Sequence, residues 1–411
     1  MLSKEANEML TRIGPGTPMG NLLRQFWAPA IRSARLEADG APQRVRLFGQ
    51  DFVAFRDTNG QVGFLDEACP HRGVSLALGR NEECGLRCIF HGWKFDVHGN
   101  VMETPSEPAG SNLGSKVRVG HYPVREAGGV VWVWLGQGEN PPQFPAFDFV
   151  NYPAENVVAR KAIIPCNWVQ LLEGALDSSH VSSLHRAWLT HGKDMMSGPH
   201  PGVMGALSVK YEIEERPYGY MANARRFLAD GIEVDRKTEY ILPWYTMIPS
   251  TLKTLRGVLA VVPIDDVTTH FWDISWDIAG PTDVVTIDRL RNSGKRSHDL
   301  DNYFQPRYGP EQVWGQDREA MKQGHYTGFI ALSFEDYAVQ ESQGLIADRS
   351  KEHLGTSDIA IIRMRRILLD MARDFQQGKL PTILTENIEY EKLHPVHEVL
   401  KPDGEPVETR V

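Results

Sequence analysis

Two short loops carry the residues best suited to chemistry in this 411-residue chain. The first reads Cys69-Pro-His71-Arg-Gly73 and the second Cys88-Ile-Phe-His91-Gly-Trp93, with sixteen residues between His71 and Cys88. Each loop offers one thiolate and one imidazole. A zinc ion would take all four around one centre. A [2Fe–2S] cluster would take two cysteines on one iron and two histidines on the other. The ligand order favours the cluster, because zinc fingers more often pair Cys with Cys and His with His. Glycine closes the ligand region in both loops, as tight turns that bring backbone N–H groups up to bridging sulfides require. Cys84 and Cys166 have no histidine partner and read as small packing residues.

A second constellation follows in Asp177-Ser-Ser-His180-Val-Ser-Ser-Leu-His185, within a segment from Asn167 to Arg186 that reads as helix. Non-haem iron(II) sites use two histidines and a carboxylate, leaving positions open for dioxygen and substrate. His180 and His185 supply the histidines. Five residues of ideal α-helix turn through about 500°, which leaves the two side chains about 140° apart. They converge only if the helix is widened or bent, as π-bulges do at functional sites. Asp177 precedes His180 by three residues on the same face, placed to ligate or to orient that ring.

The paired loops followed by Asp-x-x-His-x-x-x-x-His resemble the catalytic α subunit of Rieske aromatic-ring-hydroxylating oxygenases. The opening segment and single-chain length look most like the phthalate dioxygenase branch. The resemblance implies an oxygenase component that hydroxylates an aromatic carboxylate, phthalate-like or chlorobenzoate-like, by ring cis-dihydroxylation. Oxidative O-demethylation of a methoxylated aromatic acid is the alternative. It implies a Rieske [2Fe–2S] cluster on Cys69, His71, Cys88 and His91, and a mononuclear Fe(II) on His180, His185 and a distant carboxylate. The best match to the family's late-helix aspartate is Asp336 in Leu332-Ser-Phe-Glu335-Asp336-Tyr, with Glu335 as the alternative. Dioxygen is the implied co-substrate, with electrons from NAD(P)H through a separate flavin or iron–sulfur reductase. Asp177 would bridge His91 of one chain to His180 of another in a head-to-tail homotrimer, or in stacked trimers forming a hexamer; such a heterologous contact must close into a ring. A non-enzymatic electron carrier or a zinc-stabilised binding protein is the remote reading, and it leaves the second constellation without a purpose.

An anionic substrate calls for a buried arginine, whose planar fork pairs with carboxylate. Lys210, Arg225, Arg226 and Arg236 fall on expected strands or turns of the second half. Trp244, Trp272 and Trp276 lie in strands that could line a pocket. His98, His121, His191, His200, His298, His325 and His353 stand alone and read as surface or structural. His394 and His397 read the same way, in a C-terminal segment expected to be loop.

The elements that must hold these residues divide near residue 150, at a Gly/Pro-rich stretch from Gly136 to Pro145. The expected fold class is α+β: an N-terminal antiparallel-β Rieske domain over 1–150, then a C-terminal mixed α/β catalytic domain over 151–411, an antiparallel sheet packed with a long helix in helix-grip fashion. Residues 5–30 read as two short helices, the second running through Leu22 and Phe26. Short strands separated by turns such as Asp57-Thr-Asn-Gly60 follow, ending in the apolar run Val130 to Leu135. Strands return over 205–280, and helices are expected over 315–345 and 356–377.

Composition excludes several classes. Apolar residues are 41 % and charged residues 24 %, typical of globular chains rather than disordered or coiled-coil ones. No apolar run approaches the roughly 20 residues of a membrane span. The net charge is −9 with scattered basic residues, which argues against nucleic-acid binding. The start lacks a basic segment followed by an apolar one, so a cytoplasmic protein is expected. No Rossmann or Walker fingerprint appears, which assigns the nicotinamide to another protein.

Overall fold

A computed structural model describes residues 1–138, 140–187, 206–228, 231–250, 254–285, 301, 308–329 and 331–407. His191, His200 and His298 lie outside the described residues. Among the described residues, the first part of the chain holds ten strands: β1 (Trp27–Arg32), β2 (Gln43–Leu47), β3 (Gln50–Arg56), β4 (Val62–Asp66), β5 (Arg80–Glu82), β6 (Gly85–Arg87), β7 (Lys94–Phe95), β8 (Val101–Glu103), β9 (Val124–Ala127) and β10 (Val130–Trp134). They form antiparallel sheets in the orders β1-β10-β9, β2-β3-β4 and β5-β6-β7-β8. Local chemistry fixes the turns. Asp57 Oδ1 accepts the N–H groups of Asn59 and Gln61, and Gly60 takes φ +80°, closing the β3–β4 hairpin. Cys84 is a turn residue, not a packing one. It sits with Glu83 at positive φ between β5 and β6, and its half-exposed sulfur accepts a hydrogen bond from Asn59 Nδ2. Cys166 is fully buried, as a packing residue should be.

The second part is built on one antiparallel sheet of β11 (Val157–Ile164), β12 (Lys210–Arg216), β13 (Gly219–Phe227), β14 (Glu233–Ile241), β15 (Tyr245–Met247), β16 (Leu255–Asp265), β17 (Thr268–Asp277) and β18 (Val396–Leu400). The order is β11-β17-β16-β15-β14-β13-β12, and β18 pairs with the first half of β14. His397 therefore lies in a strand opposite Arg236, where loop was expected. Together with the antiparallel N-terminal sheets, this sheet and its helices make the α+β architecture expected from the sequence.

Seven α-helices are described: α1 (Lys4–Thr11), α2 (Pro18–Leu23), α3 (Trp168–Leu176), α4 (Val181–Leu184), α5 (Arg318–Lys322), α6 (Leu332–Glu341) and α7 (Ile359–Gln376). Helix α2 stops before Phe26, and β1 starts at once. The expected helix over 315–345 is two separate helices, α5 and α6. In α7, Ala360, Met364, Leu368 and Ala372 recur every fourth residue and are buried, the stripe a helix needs to pack on a sheet. Tyr220 of β13 ties the start of α7 to the sheet by donating to Ala360 O at 2.7 Å. α1 and α2 also pack on α7. Cys69, Cys88 and Trp93 belong to a separate small core within the first part. Among the described residues, no helix is long and apolar enough to cross a membrane.

Candidate metal centres and substrate pocket

The two Cys/His loops close in the same way. Gly73 N donates to Cys69 O at 2.8 Å and Gly92 N to Cys88 O at 3.0 Å, with φ of +72° and +77° at the two glycines. Only glycine adopts that backbone without strain. Each cysteine is thereby buried, at 3 % exposure, while the histidines face outward and half-buried. The rings of His71 and His91 lie 4.5 Å apart, and His71 stacks on Trp93 at 4.8 Å. Burial, then the adjacent Cys88 sulfur, pushes the Cys69 thiol up to about 11. A bound cation favours the thiolate form of such a thiol. His91 Nδ1 is buried without a hydrogen-bond partner among the described residues. Two buried sulfurs, two adjacent imidazoles and an orphaned ring nitrogen fit a cluster held by two cysteines and two histidines.

The second constellation depends on a helix break. α3 ends at Leu176 with Asp177 N bonded to Glu173 O, and Asp177 itself is extended at φ −78°, ψ 112°. Its Oδ1 accepts from Ser179 N at 2.7 Å and Ser179 Oγ at 2.5 Å, a local turn that competes with helix. His180 then opens the one-turn α4 and His185 closes it. The continuous helix expected over 167–186, widened or bent, is thus two helices across a break, and the break brings His180 and His185 to ring centroids 5.0 Å apart.

Asp336, on the first turns of α6, completes the group. Its Oδ1 lies 3.6 Å from His180 Nε2 and 3.2 Å from His185 Nε2. One ligand atom from each of the three falls within 4.8 Å of the others. The opposite nitrogen of each ring meets a carboxylate: His180 Nδ1 is 3.2 Å from Asp177 Oδ2, and His185 Nδ1 is 2.7 Å from Glu335 Oε2. Glu335 is fully buried and also accepts from the Thr327 hydroxyl. Both Nε2 atoms are thereby aimed at one point, as when a carboxylate on the far nitrogen fixes the ring of a metal-bound histidine. Burial opposes charge on His185, yet Asp336 and Glu335 outweigh it and hold its pKa up at about 9. Burial likewise opposes the Asp177 carboxylate, but His180 and Ser179 bring it down to about 2. The anionic surroundings and the His₂-carboxylate donor set fit a divalent iron. The Glu335 carboxylate is bonded to His185 Nδ1 and Thr327, while the oxygen that meets both Nε2 atoms belongs to Asp336.

The open side of this group faces a pocket of about 240 Å³. Strand alternation supplies its walls: Arg236 and Thr238 of β14, Gly257 and Leu259 of β16, and Phe271, Asp273 and Ser275 of β17 share one face. Three expected contributors are not among the walls. By the same alternation Trp272 and Trp276 point to the opposite face, and Trp244, in a turn before β15 rather than in a strand, is stacked on Phe48 in the core. Lys210 and Arg225 are not pocket residues either. Lys210 is exposed beside Glu212, and Arg225 is paired with Glu233 and Glu212. Arg226 is buried behind the site, donating to Ser182 Oγ and Ser178 O. Arg236 is the one expected basic residue that lines the pocket, its Nε donating to Ser178 Oγ at 3.1 Å. No carboxylate partner of Arg236 occurs among the described residues, and burial, then Arg226, lowers it to about 10. Arg256 also lines the pocket, bonded to Asp148 and His394. Nothing in its sequence neighbourhood marked it, because its place depends on strand register.

The chain matches the model of the Rieske [2Fe-2S] domain over residues 26–123 and that of the LigXa C-terminal domain over residues 133–400. It is 40 % identical over 388 residues to the phthalate 4,5-dioxygenase oxygenase subunit of Pseudomonas putida, covering 92 % of this chain and 88 % of that one. The chain belongs to the Rieske non-haem iron oxygenases. The 3-chlorobenzoate-3,4-dioxygenase oxygenase subunit of Comamonas testosteroni is 35 % identical, over 93 % of this chain and 92 % of that one. The solved structure of Pseudomonas putida CBB5 NdmA superposes with a TM-score of 0.61 at 18 % identity, covering 93 % and 98 %, a likeness of fold. As a member, this oxygenase component works with a Rieske cluster, a mononuclear iron, dioxygen and a separate reductase.

Proposed function

We propose that this oxygenase cis-dihydroxylates the ring of an aromatic carboxylate such as a phthalate or a substituted benzoate. The observation that carries the reading is a pocket opening on His180, His185 and Asp336, lined by apolar side chains such as Leu171, Leu259, Phe271 and Leu332 together with Thr238, Asp273, Ser275 and Arg256, with one buried arginine, Arg236. Cys69, His71, Cys88 and His91 hold the cluster, and His180, His185 and Asp336 hold the iron. Bound there, the iron supplies dioxygen activation with electrons relayed one at a time from the cluster. The chain's own residues do the rest. Arg236 binds the substrate carboxylate, backed by Ser178. Leu171, Phe271 and Leu332 hold the ring in one orientation, which lowers the entropic part of the barrier. Asp177 fixes the His180 ring and links it to His91 of a neighbouring chain.

That link requires a head-to-tail trimer, alone or stacked. Supporting it, Leu78, Ile89 and Phe90 form an apolar tip around the Cys/His loops with exposures of 62 %, 57 % and 49 %. The division of labour follows the chain, with cluster chemistry within 1–150 and oxygen chemistry within 151–411. A cytoplasmic setting suits the free thiols and the reductase. The test is product analysis with phthalate, chlorobenzoate and methoxybenzoate in the presence of a reductase. A dihydrodiol supports the reading. A phenol with released formaldehyde replaces it with O-demethylation.

A further inference from the structure

The metal-binding group stands in a partition between two cavities. Gly174, Asp177, His180, Asp336 and Gln340 line both the inner pocket and an outer cleft of about 480 Å³ that also holds Lys351 and Glu352. Gln340 has no role in the chemistry described so far. It lies four residues after Asp336 on α6, hence on the same helix face. It is only 6 % exposed, and its Oε1 is buried without a hydrogen-bond partner among the described residues. A buried amide oxygen left unpaired is costly, and a bound water is the usual remedy where a site is polar and roomy.

Gly174 faces the same amide from the neighbouring helix. It sits inside α3, where glycine is among the poorest helix formers. A Cβ at this position would lie 1.8 Å from Gln340 Nε2. The glycine leaves room for the amide, so the partition is built around Gln340 from both helices.

We propose that Gln340 is a positioning residue that holds a water molecule between the outer cleft and the inner pocket, the route by which protons reach the reacting oxygens. The inference rests on the dioxygenase reading. Ring cis-dihydroxylation adds both atoms of one dioxygen to the ring and consumes two electrons from the reductase and two protons from solvent. Substrate fills the inner pocket during the reaction, so protons enter from the cleft side.

Two variants test this. Gln340→Met conserves volume and removes the amide, while Gly174→Ala favours the helix and displaces the amide without altering it. Both are expected to keep the cluster signal and the iron content of wild type. Product formed per dioxygen consumed should fall roughly tenfold, with hydrogen peroxide making up the difference and the solvent deuterium isotope effect rising. Crystals of the wild type should show an ordered water on Gln340 Oε1 that both variants lack. Wild-type coupling and isotope effect in both variants, or no water at Oε1 in the wild type, would overturn the proposal. Loss of iron in Gln340→Met with normal coupling in Gly174→Ala would mark a structural residue and overturn it too. A wild type that binds no mononuclear iron would instead sink the dioxygenase reading itself.

Discussion

At the residue scale, two carboxylates stand behind the histidines of the proposed iron site. Glu335 holds His185 and Asp177 holds His180, each through Nδ1. Glu335→Gln removes the negative charge behind His185, so iron affinity is expected to fall about 10- to 100-fold. Competition against a chelator measures this, and the cluster spectrum should stay that of wild type. Asp177→Asn is expected to keep both metals while greatly slowing reduction of the iron site by the cluster in rapid-mixing experiments; a wild-type rate would remove the bridging role. Between the neighbours Glu335 and Asp336, the resemblance to the family, and not spacing, favoured Asp336. Consecutive helix positions point about 100° apart, and with α6 packed against α3 it is Asp336 that faces both Nε2 atoms.

At the scale of elements, the site is held by the anchoring of α3. Glu173 is buried between two arginines, Arg349 at 2.8 and 2.9 Å and Arg365 at 2.6 Å, which binds α3 to α7 and to the loop before it. Burial opposes this carboxylate, but the two arginines outweigh it and lower its pKa. Glu173→Gln leaves buried cations undercompensated and should cost about 3–5 kcal/mol in a denaturant titration. β18 carries a pH-dependent element. Burial, then Arg236 and Arg226, lowers His397 to about 4 from 6.5. The unfolded chain takes up a proton below about 6.5 and the folded one only near 4. This contribution to stability, at most about 3 kcal/mol, is therefore complete above 6.5 and is lost as pH falls toward 4. His397→Gln should flatten that part of the stability–pH curve. Neither feature was legible in the sequence. The helix break at Asp177 was also missed, because Ser178 and Ser179 are tolerated in helices and only their bonds to Asp177 and Tyr211 reveal the turn.

For the whole molecule, the motifs spoke clearly because cysteine, histidine and glycine at fixed spacing have few other uses. The pairing of the two Cys/His loops, the meeting of His180 and His185 with Asp336, the antiparallel sheets and α7 could be read directly. The substrate residues could not, since pocket walls come from alternate positions on three strands whose register no local pattern reveals. Arg236 was distinguishable from Lys210 and Arg225 only once their partners were known. The proposed ring assembly yields its own expectation. Ile89→Glu places a charge on the exposed tip without altering a ligand, and should give a chain that runs as a monomer by light scattering, retains its cluster, and turns over little. A trimer with normal turnover would contradict the head-to-tail contact.

The most direct test of the central claim is iron and acid-labile sulfide content, combined with electron paramagnetic resonance of the dithionite-reduced protein. About three irons and two sulfides per chain with a Rieske signal are expected, from one two-iron cluster and one mononuclear site. Zinc without sulfide would contradict the account, and the paired loops would then be a structural metal site.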